Sequence, residues 1–242
     1  MLKLKRFYCE NDLVSGGALH LEGDRAHYLR NVLRIKAGEK IQCFNEKEGE
    51  FRAKVADISK KSVTIQIEDK ISSVSTPLVD IHLGQVISRG ERMDFVIQKA
   101  TELGATTITP LFSERCNVKL TPDRAQSRTQ HWTQIAINAC EQCGRITVPK
   151  VNLPMNLDEW LIERNEELLF ICDPDIDNEY QEITSTKNVA VLIGPEGGFS
   201  EHEVEKVRKN NFKNLNLGPR ILRTETATVV ALTILQLKWG DI

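Results

Sequence analysis

The chain contains the stretch Leu192-Ile193-Gly194-Pro195-Glu196-Gly197-Gly198-Phe199-Ser200, in which an apolar strand leads through a glycine-rich turn into a capped helix. Because glycine has no side chain, such a turn lets backbone N–H and C=O groups approach a ligand closely. A second unusual loop, Leu217-Gly218-Pro219-Arg220-Ile221-Leu222-Arg223-Thr224-Glu225-Thr226-Ala227, also leads into a helix. Two such loops near one end of the chain predict one shared ligand pocket.

Alternating strands and helices surround these two loops. Residues 168–172 and 189–193 are continuous apolar runs, which are typical of parallel strands covered by helices on both faces. Apolar residues recur at helical spacing from Met93 to Leu103 and again from Trp132 to Cys143. This pattern predicts an α/β architecture that binds its ligand at the C-terminal ends of the strands.

The first 72 residues have a different periodicity. Three segments alternate apolar and polar side chains, namely residues 40–45, 51–58 and 62–68. Period-two alternation predicts an antiparallel meander or a small barrel with one packed face. Residues 24–33 are predicted to form a helix with Asp24 at its N-cap. Because residues 72–77 have the composition of a linker, we predict two domains, 1–72 and 73–242.

Composition and charge exclude several classes of protein. The chain has 242 residues, 40% hydrophobic and 27% charged, which is ordinary for a soluble globular protein. It has no apolar run of membrane-spanning length, and its start lacks the apolar core of a secretion signal, so we expect a cytoplasmic protein. The net charge is +3 over the first 72 residues and −5 over the remainder. A mildly basic first part favours a polyanionic partner, although so small an imbalance also arises by chance.

Cys140 and Cys143 form a C-x-x-C pair, a spacing found in zinc and redox sites. No second pair stands at zinc-site spacing, and both cysteines fall on the apolar stripe of a predicted helix. We therefore interpret them as structural thiols and expect no metal.

The two loops match neither the G-x-G-x-x-G dinucleotide fingerprint nor a Walker A loop. A Gly-Pro-Glu-Gly-Gly turn before a helix could by itself be a plain connection. The second loop, however, places Arg223 and Glu225 at the start of a helix that is apolar nearly all round. Such a start ordinarily needs only one capping hydroxyl, and the extra charges favour an active site.

Several segments together resemble the RsmE family of bacterial 16S rRNA uracil-N3 methyltransferases, within the SPOUT class. They are Arg6-Phe7-Tyr8, residues 27–34, 90–93, 98–104 and 141–145, and both loops quoted above. The resemblance implies a small N-terminal PUA-like β-barrel that helps to bind RNA. It implies a C-terminal SPOUT-type parallel sheet whose last helix is threaded into a deep trefoil knot. It also implies a homodimer with the pocket near the subunit interface, which agrees with the apolar last helix.

The resemblance further implies that S-adenosylmethionine is the cofactor and that N3 of uridine 1498 in 16S rRNA receives its methyl group. Cofactor contacts are then expected from the side chains or backbone of Leu192, Gly194, Pro195, Gly197, Gly198, Leu217, Gly218, Leu222 and Thr226. Leucines at strand ends and free backbone groups provide apolar walls and hydrogen bonds for adenine.

The expected chemistry centres on the proton that uracil N3 carries. A cation near the uracil carbonyl oxygens would stabilise the N3 anion, and Arg223 is the expected group. The alternative is a structural ion pair of Arg223 with Glu225 or another neighbour. Glu196 or Glu225 could accept the proton, although a carboxylate is a weak base unless burial raises its pKa. The proton could also leave to water with no protein base.

RNA contacts are expected from Arg6, Phe7, Tyr8, Arg30, Arg34, Arg89, Arg92 and Arg145, with the aromatic pair stacking on a base. The alternative is that the arginines are merely solvated and the aromatic rings pack. The expected partner is 16S rRNA in an assembled small ribosomal subunit, because the first domain offers little sequence-reading machinery. Two other functions stay open: a non-catalytic RNA-binding or ribosome-assembly protein that keeps the fold, and a different α/β nucleotide-binding enzyme.

Overall fold

The computed structural model describes residues 4–173 and 185–242. The chain divides into two compact units, the first made of Met1–Thr76 with Cys140–Val148 and the second of Pro77–Ala139 with Pro149–Ile242. The division after Thr76 falls inside the linker that composition predicts. The inclusion of residues 140–148 in the first unit differs from the predicted boundaries, because local sequence carries no signal for it.

A five-stranded sheet forms a curled half-barrel in the first unit. Its strands are β1 (Arg6–Tyr8), β2 (Ala18–Glu22), β3 (Lys40–Asn45), β4 (Gly49–Ile58) and β5 (Ser62–Ser72). They lie in the order β1-β3-β4-β5-β2, with β1 parallel to β3 and the other ladders antiparallel. The predicted meander is confirmed as β3-β4-β5. Alternate residues of β4 and β5, such as Val55 and Ile65, are fully buried in its core.

The predicted helix over residues 24–33 forms as two short pieces. Helix α1 (Gly23–His27) continues into one π-helical turn over Tyr28–Val32. The predicted N-cap is wrong, because Glu22 occupies the cap position and Asp24 lies in the first turn.

The second unit is built on a parallel sheet with helices, so the predicted α/β architecture is confirmed. Its strands are β6 (Asp80–Val86), β7 (Thr107–Phe112), β8 (Lys150–Val151), β9 (Met155–Asn156), β10 (Leu168–Ile171), β11 (Asn188–Ile193) and β12 (Lys213–Asn214). The order is β12-β10-β11-β6-β7-β8, with β9 also paired to β7, and every ladder is parallel. The apolar run of β11 is buried from Val189 to Ile193, as its continuous pattern predicts.

In the described part of the chain, the helices that follow these strands are α2 (Glu91–Glu102), α3 (Pro122–Cys143), α4 (Leu157–Glu163), α5 (Glu201–Lys209) and α6 (Thr224–Trp239). Helix α5 starts with the predicted capping box, in which the Glu203 N–H donates to Ser200 Oγ at 3.1 Å. Helix α6 packs against α2. The threading of α6 into a deep trefoil knot stays a prediction.

The C-x-x-C pair ends α3. Cys140 is buried, and burial raises the pKa of its thiol to about 12, whereas Cys143 is partly exposed. Within residues 4–173 and 185–242, no three potential metal-ligating side chains stand close enough to hold an ion. None of the helices in this described part of the chain has the length and apolar character needed to span a bilayer.

Candidate functional site

A cavity of about 760 Å³ opens where β10, β11 and β12 end in the second unit. Cys172 and Asp173 reach it from β10, Ile193 and Gly194 from β11, and Leu215 from β12. This is the edge of the sheet at which parallel α/β folds bind their ligands. The glycine-rich turn (residues 192–200) and the second loop (residues 217–227) meet here and supply most of the wall.

Eight of the predicted site residues line this cavity: Gly194, Pro195, Glu196, Gly198, Leu217, Gly218, Leu222 and Arg223. Four others do not. Leu192 is fully buried inside β11, and the Gly197 carbonyl instead accepts a hydrogen bond from Arg115 at 3.0 Å. Glu225 and Thr226 lie in the first turn of α6 without lining the cavity.

Buried hydrogen bonds hold the two loops together. The Thr224 hydroxyl donates to the Gly194 carbonyl at 2.7 Å, and the Gln85 side-chain amide donates to the Thr224 hydroxyl at 3.0 Å. The Thr228 hydroxyl lies 2.6 Å from Gln85 Oε1. All three side chains are at most 4% exposed. The glycine-rich turn, the start of α6 and β6 are therefore fixed relative to one another.

Apolar side chains form part of the wall, and the sequence predicted only some of them. Ile193, Phe199, Leu215 and Ala227 join the predicted leucines. A Cβ at residue 194 would come within 2.9 Å of the Phe199 ring, so any residue other than glycine would push the ring aside. Ile193, Phe199 and Ala227 lie within the quoted loops and could have been included. Leu215 follows a two-residue strand that has no periodic signal.

Charges of both signs also line the cavity. The cations are Arg115, Arg208, Arg220 and Arg223, and the anions are Asp173, Glu196, Glu201 and Glu205. Such a mixture suits a ligand that itself carries both charges, while the apolar wall suits an aromatic ring. Of these eight charged residues, only Arg223 and Glu196 were predicted from the sequence as site residues.

Arg223 is exposed to solvent at the N-cap of α6. Its guanidinium has no ion-pair or hydrogen-bond partner within the described residues, and so the pair with Glu225 is not formed there, although the Arg223 carbonyl accepts a hydrogen bond from the Ala227 N–H at 2.8 Å. Glu225 has a buried Oε2 that finds no hydrogen-bond partner in the same part of the chain. Glu196 Oε1 accepts a hydrogen bond from Arg92 Nη1 at 2.7 Å.

The Arg6-Phe7-Tyr8 segment is a structural element of the first unit. Arg6 is 5% exposed; it pairs with Glu50 at 2.6 Å and donates to the carbonyl of Arg145 at 3.1 Å. Phe7 is 1% exposed in the core. The burial of both side chains is at odds with the predicted RNA contact, because their polar and aromatic groups are already used inside the protein.

A carboxylate from residues 140–148 completes this arrangement. Glu141 accepts a hydrogen bond from the Tyr8 backbone N–H at 3.1 Å and another from the Tyr28 hydroxyl at 2.6 Å. Burial raises the pKa of the Glu141 carboxyl. The partly buried Tyr8 ring packs edge-on against Phe44 with 5.7 Å between centroids. Tyr8 is therefore the most accessible member of its triplet.

The remaining predicted RNA residues differ in exposure. Arg34 and Arg89 are exposed, and Arg89 donates to the Asn117 carbonyl at 3.2 Å. Arg92 is exposed and paired with Glu196. Arg30 is partly buried and donates to the Lys60 carbonyl, and Arg145 is also partly buried.

Two family models match the chain in the order that the two units suggest. A model described as an RNA methyltransferase PUA domain matches residues 21–68, and one described as an RNA methyltransferase domain matches residues 74–236. The Ribosomal RNA small subunit methyltransferase E of Buchnera aphidicola subsp. Acyrthosiphon pisum is 42% identical over 99% of this chain and 95% of its own length. The relative of the same name from Bacillus subtilis is 27% identical over 95% of each chain.

Solved structures agree with these matches. A methyltransferase from Legionella pneumophila in complex with the bound cofactor SAM is 38% identical, with a TM-score of 0.95 over 100% of both chains. A Ribosomal RNA small subunit methyltransferase E from Neisseria gonorrhoeae bound to S-adenosyl methionine is 35% identical, with a TM-score of 0.89 over 99% of both chains. The fold and the matched domains are those of an RNA methyltransferase. The chain belongs to the ribosomal RNA small subunit methyltransferase E (RsmE) family, which confirms the predicted family.

The network that joins the loops predicts a specific loss of stability. Thr224→Val leaves the Gly194 carbonyl without a partner and removes one of the two acceptors of the Gln85 amide, which keeps its hydrogen bond to the Val86 carbonyl. We therefore expect a loss of about 1–3 kcal/mol in unfolding free energy. Tryptophan fluorescence in urea measures this, because all three tryptophans, Trp132, Trp160 and Trp239, lie in the second unit. Thr233→Val is the matched control, since its hydroxyl bonds only to the Val229 carbonyl within α6. Equal stability of the two variants would contradict the assignment.

Proposed function

We propose that this protein transfers the methyl group of S-adenosylmethionine to N3 of a uridine in the RNA of the small ribosomal subunit. The family resemblance makes uridine 1498 of 16S rRNA the expected target. The observation that carries the proposal is the 760 Å³ cavity at the strand ends, with both loops fixed around it. The names of relatives that span nearly the whole chain support the RNA substrate.

The lining of the cavity fits S-adenosylmethionine. A Cβ at residue 194 would come within 2.9 Å of the Phe199 ring, and Gly198 and Gly218 have positive φ angles of 67° and 102°. Glycine adopts such angles without strain, so the backbone can form the ligand wall directly. Leu217 and Leu222 provide apolar surface for adenine. When bound, the cofactor supplies an electrophilic methyl group next to a positively charged sulfur.

Arg223 is the residue that we assign to the uracil. It lines the cavity, it is exposed, and its guanidinium is not engaged by any described side chain. A cation held there stabilises the negative charge that spreads over the uracil oxygens as N3 loses its proton. The N-terminus of α6 adds a favourable partial positive charge.

Neither candidate carboxylate is well placed as a general base. Glu196 lines the cavity but already accepts a hydrogen bond from Arg92. Glu225 lies in the first turn of α6 and does not line the cavity. We therefore infer that the N3 proton leaves to water once Arg223 favours the anion.

A non-catalytic RNA-binding protein is the second candidate function. It would not need the glycine-rich turn, the fixed start of α6 or an unpaired Arg223. The presence of all three favours the enzyme.

We also propose that the enzyme acts as a cytoplasmic homodimer on assembled small subunits. Two exposed apolar side chains, Ile221 and Leu237, support the dimer. Light scattering tests it, and the expected molecular mass is twice the 27.4 kDa of one chain.

Ligand-dependent unfolding tests cofactor binding. S-adenosylhomocysteine at about 100 times its Kd should stabilise the protein by about 2.7 kcal/mol, because it binds only the folded state. ATP and NAD serve as controls and should leave the melting temperature unchanged. Stabilisation by ATP but not by S-adenosylhomocysteine would point to a different nucleotide-binding enzyme.

The assigned role of Arg223 predicts a catalytic defect. Arg223→Ala should lower kcat by roughly 100-fold or more, as removal of one charge-stabilising group commonly does. Mass spectrometry of methylated uridine in small-subunit rRNA measures the product. Arg124→Ala is the control and should leave kcat unchanged, because Arg124 is an exposed arginine that does not line the cavity. Equal kcat values for wild type and Arg223→Ala would remove Arg223 from the mechanism.

A further inference from the structure

A second cavity, of about 310 Å³, lies elsewhere in the second unit. It is lined by the segment before α2, the first turn of that helix, residues 117–120 and one face of α3. Among the residues that the structure describes, none that lines the cofactor cavity also borders this one. We propose that this cavity holds a backbone phosphodiester group of the substrate RNA, an inference that rests on the proposed function.

Ser88 supplies the most direct indication of a ligand. Its side chain lines the cavity and is 4% exposed, and its Oγ has no hydrogen-bond partner among the described residues. A buried hydroxyl that lacks a partner costs free energy, so such groups nearly always have one. A phosphate oxygen would accept the hydrogen bond that Ser88 can donate.

The start of α2 provides a second, independent feature. Gly90 and Met93 line the cavity, and Gly90 is the N-cap of this 12-residue helix. Gly90 has φ +62° and, having no side chain, cannot cap the first backbone N–H groups. Unpaired N–H groups and the helix dipole together make a site for anions.

The charge of the lining matches a phosphate. Three cations border the cavity, namely Arg89, Lys119 and Arg128, and all are exposed. No carboxylate is among the lining residues within the described chain. Asp94, one turn into α2, is already engaged by His131 at 2.9 Å and by the Trp132 indole at 3.2 Å. Arg89 uses one N–H on the Asn117 carbonyl and keeps others available for a ligand.

The position of this site connects RNA binding to the cofactor cavity. Arg92 stands two residues after Gly90 on α2, and it pairs with Glu196 of the glycine-rich turn at 2.7 Å. A phosphate held at the start of α2 would therefore be anchored on the same helical turn that contacts the cofactor loop. Such an anchor would position the strand without reading its sequence.

The first experiment uses fluorescently labelled full-length protein and measures by anisotropy its binding to small ribosomal subunits that lack the target methylation. Ser88→Ala should weaken RNA binding about tenfold, the effect of losing one hydrogen bond to a charged group. Its melting temperature should stay the same or rise, because a buried unpaired hydroxyl is removed. Its affinity for S-adenosylhomocysteine should not change. RNA affinity equal to that of the wild type would overturn the proposal.

The second experiment measures the salt dependence of RNA binding. Arg128→Gln and Lys119→Gln should each reduce the slope of log Kd against log salt by about 0.7–0.9, the loss of one phosphate contact. Arg124→Gln is the matched control, because Arg124 is exposed on the same helix and does not line the cavity. Slopes that change equally in Arg124→Gln and Arg128→Gln would count against a defined site.

A test with inorganic phosphate distinguishes two candidate ligands of this cavity, the RNA backbone and a free anion. At matched ionic strength, millimolar phosphate should raise the melting temperature no more than chloride does. If phosphate stabilised the wild type but not Ser88→Ala, while RNA affinity stayed the same in both, the cavity would be a free-anion site and the proposal would fail. Failure of the proposed function would instead appear as absent binding of S-adenosylhomocysteine.

Discussion

The Gln85 carboxamide connects the three segments on which the cofactor cavity depends. It donates to the Thr224 hydroxyl, which donates in turn to the Gly194 carbonyl, and the Thr228 hydroxyl completes the network. Because these side chains are buried, breaking any one bond leaves a polar group without water or protein to replace it. The start of α6 and the glycine-rich turn therefore cannot move independently, and the backbone of both loops is organised before a ligand arrives.

Local patterns were enough to predict several elements of both units. The period-two segments of the first unit, the apolar run of β11 and the Ser200 capping box all express rules that act over a few residues. The network itself joins residues 85, 194, 224 and 228, which are distant along the chain. A glutamine in the apolar strand β6 was the one available signal, since a buried amide requires partners. The identity of those partners depends on the sheet order, which no local pattern contains.

Arg6 shows a second limit of prediction from local sequence, in which one pattern fits two different roles. An arginine near aromatic residues at the start of a basic segment is also the pattern of an RNA-binding surface. In the structure its guanidinium is satisfied by Glu50 and by backbone carbonyls of residues 140 and 145. Arginine is well suited to this role, because its five N–H groups can bind several acceptors at once. The type of residue thus predicted that Arg6 binds something, but only the packing of residues 140–148 decides what.

The cofactor cavity combines a fixed floor with an adjustable rim. Its floor depends on buried hydrogen bonds between uncharged groups, whereas its rim includes the Arg92–Glu196 pair, in which both side chains are at least one-third exposed. Exposed ion pairs contribute little to stability, so this one can open at small cost. A polyanion bound near Arg92 would change the charge around this pair without disturbing Gln85, Thr224 or Gly194. Binding of RNA can therefore change the electrostatics at the rim, while the backbone that holds the cofactor stays in place.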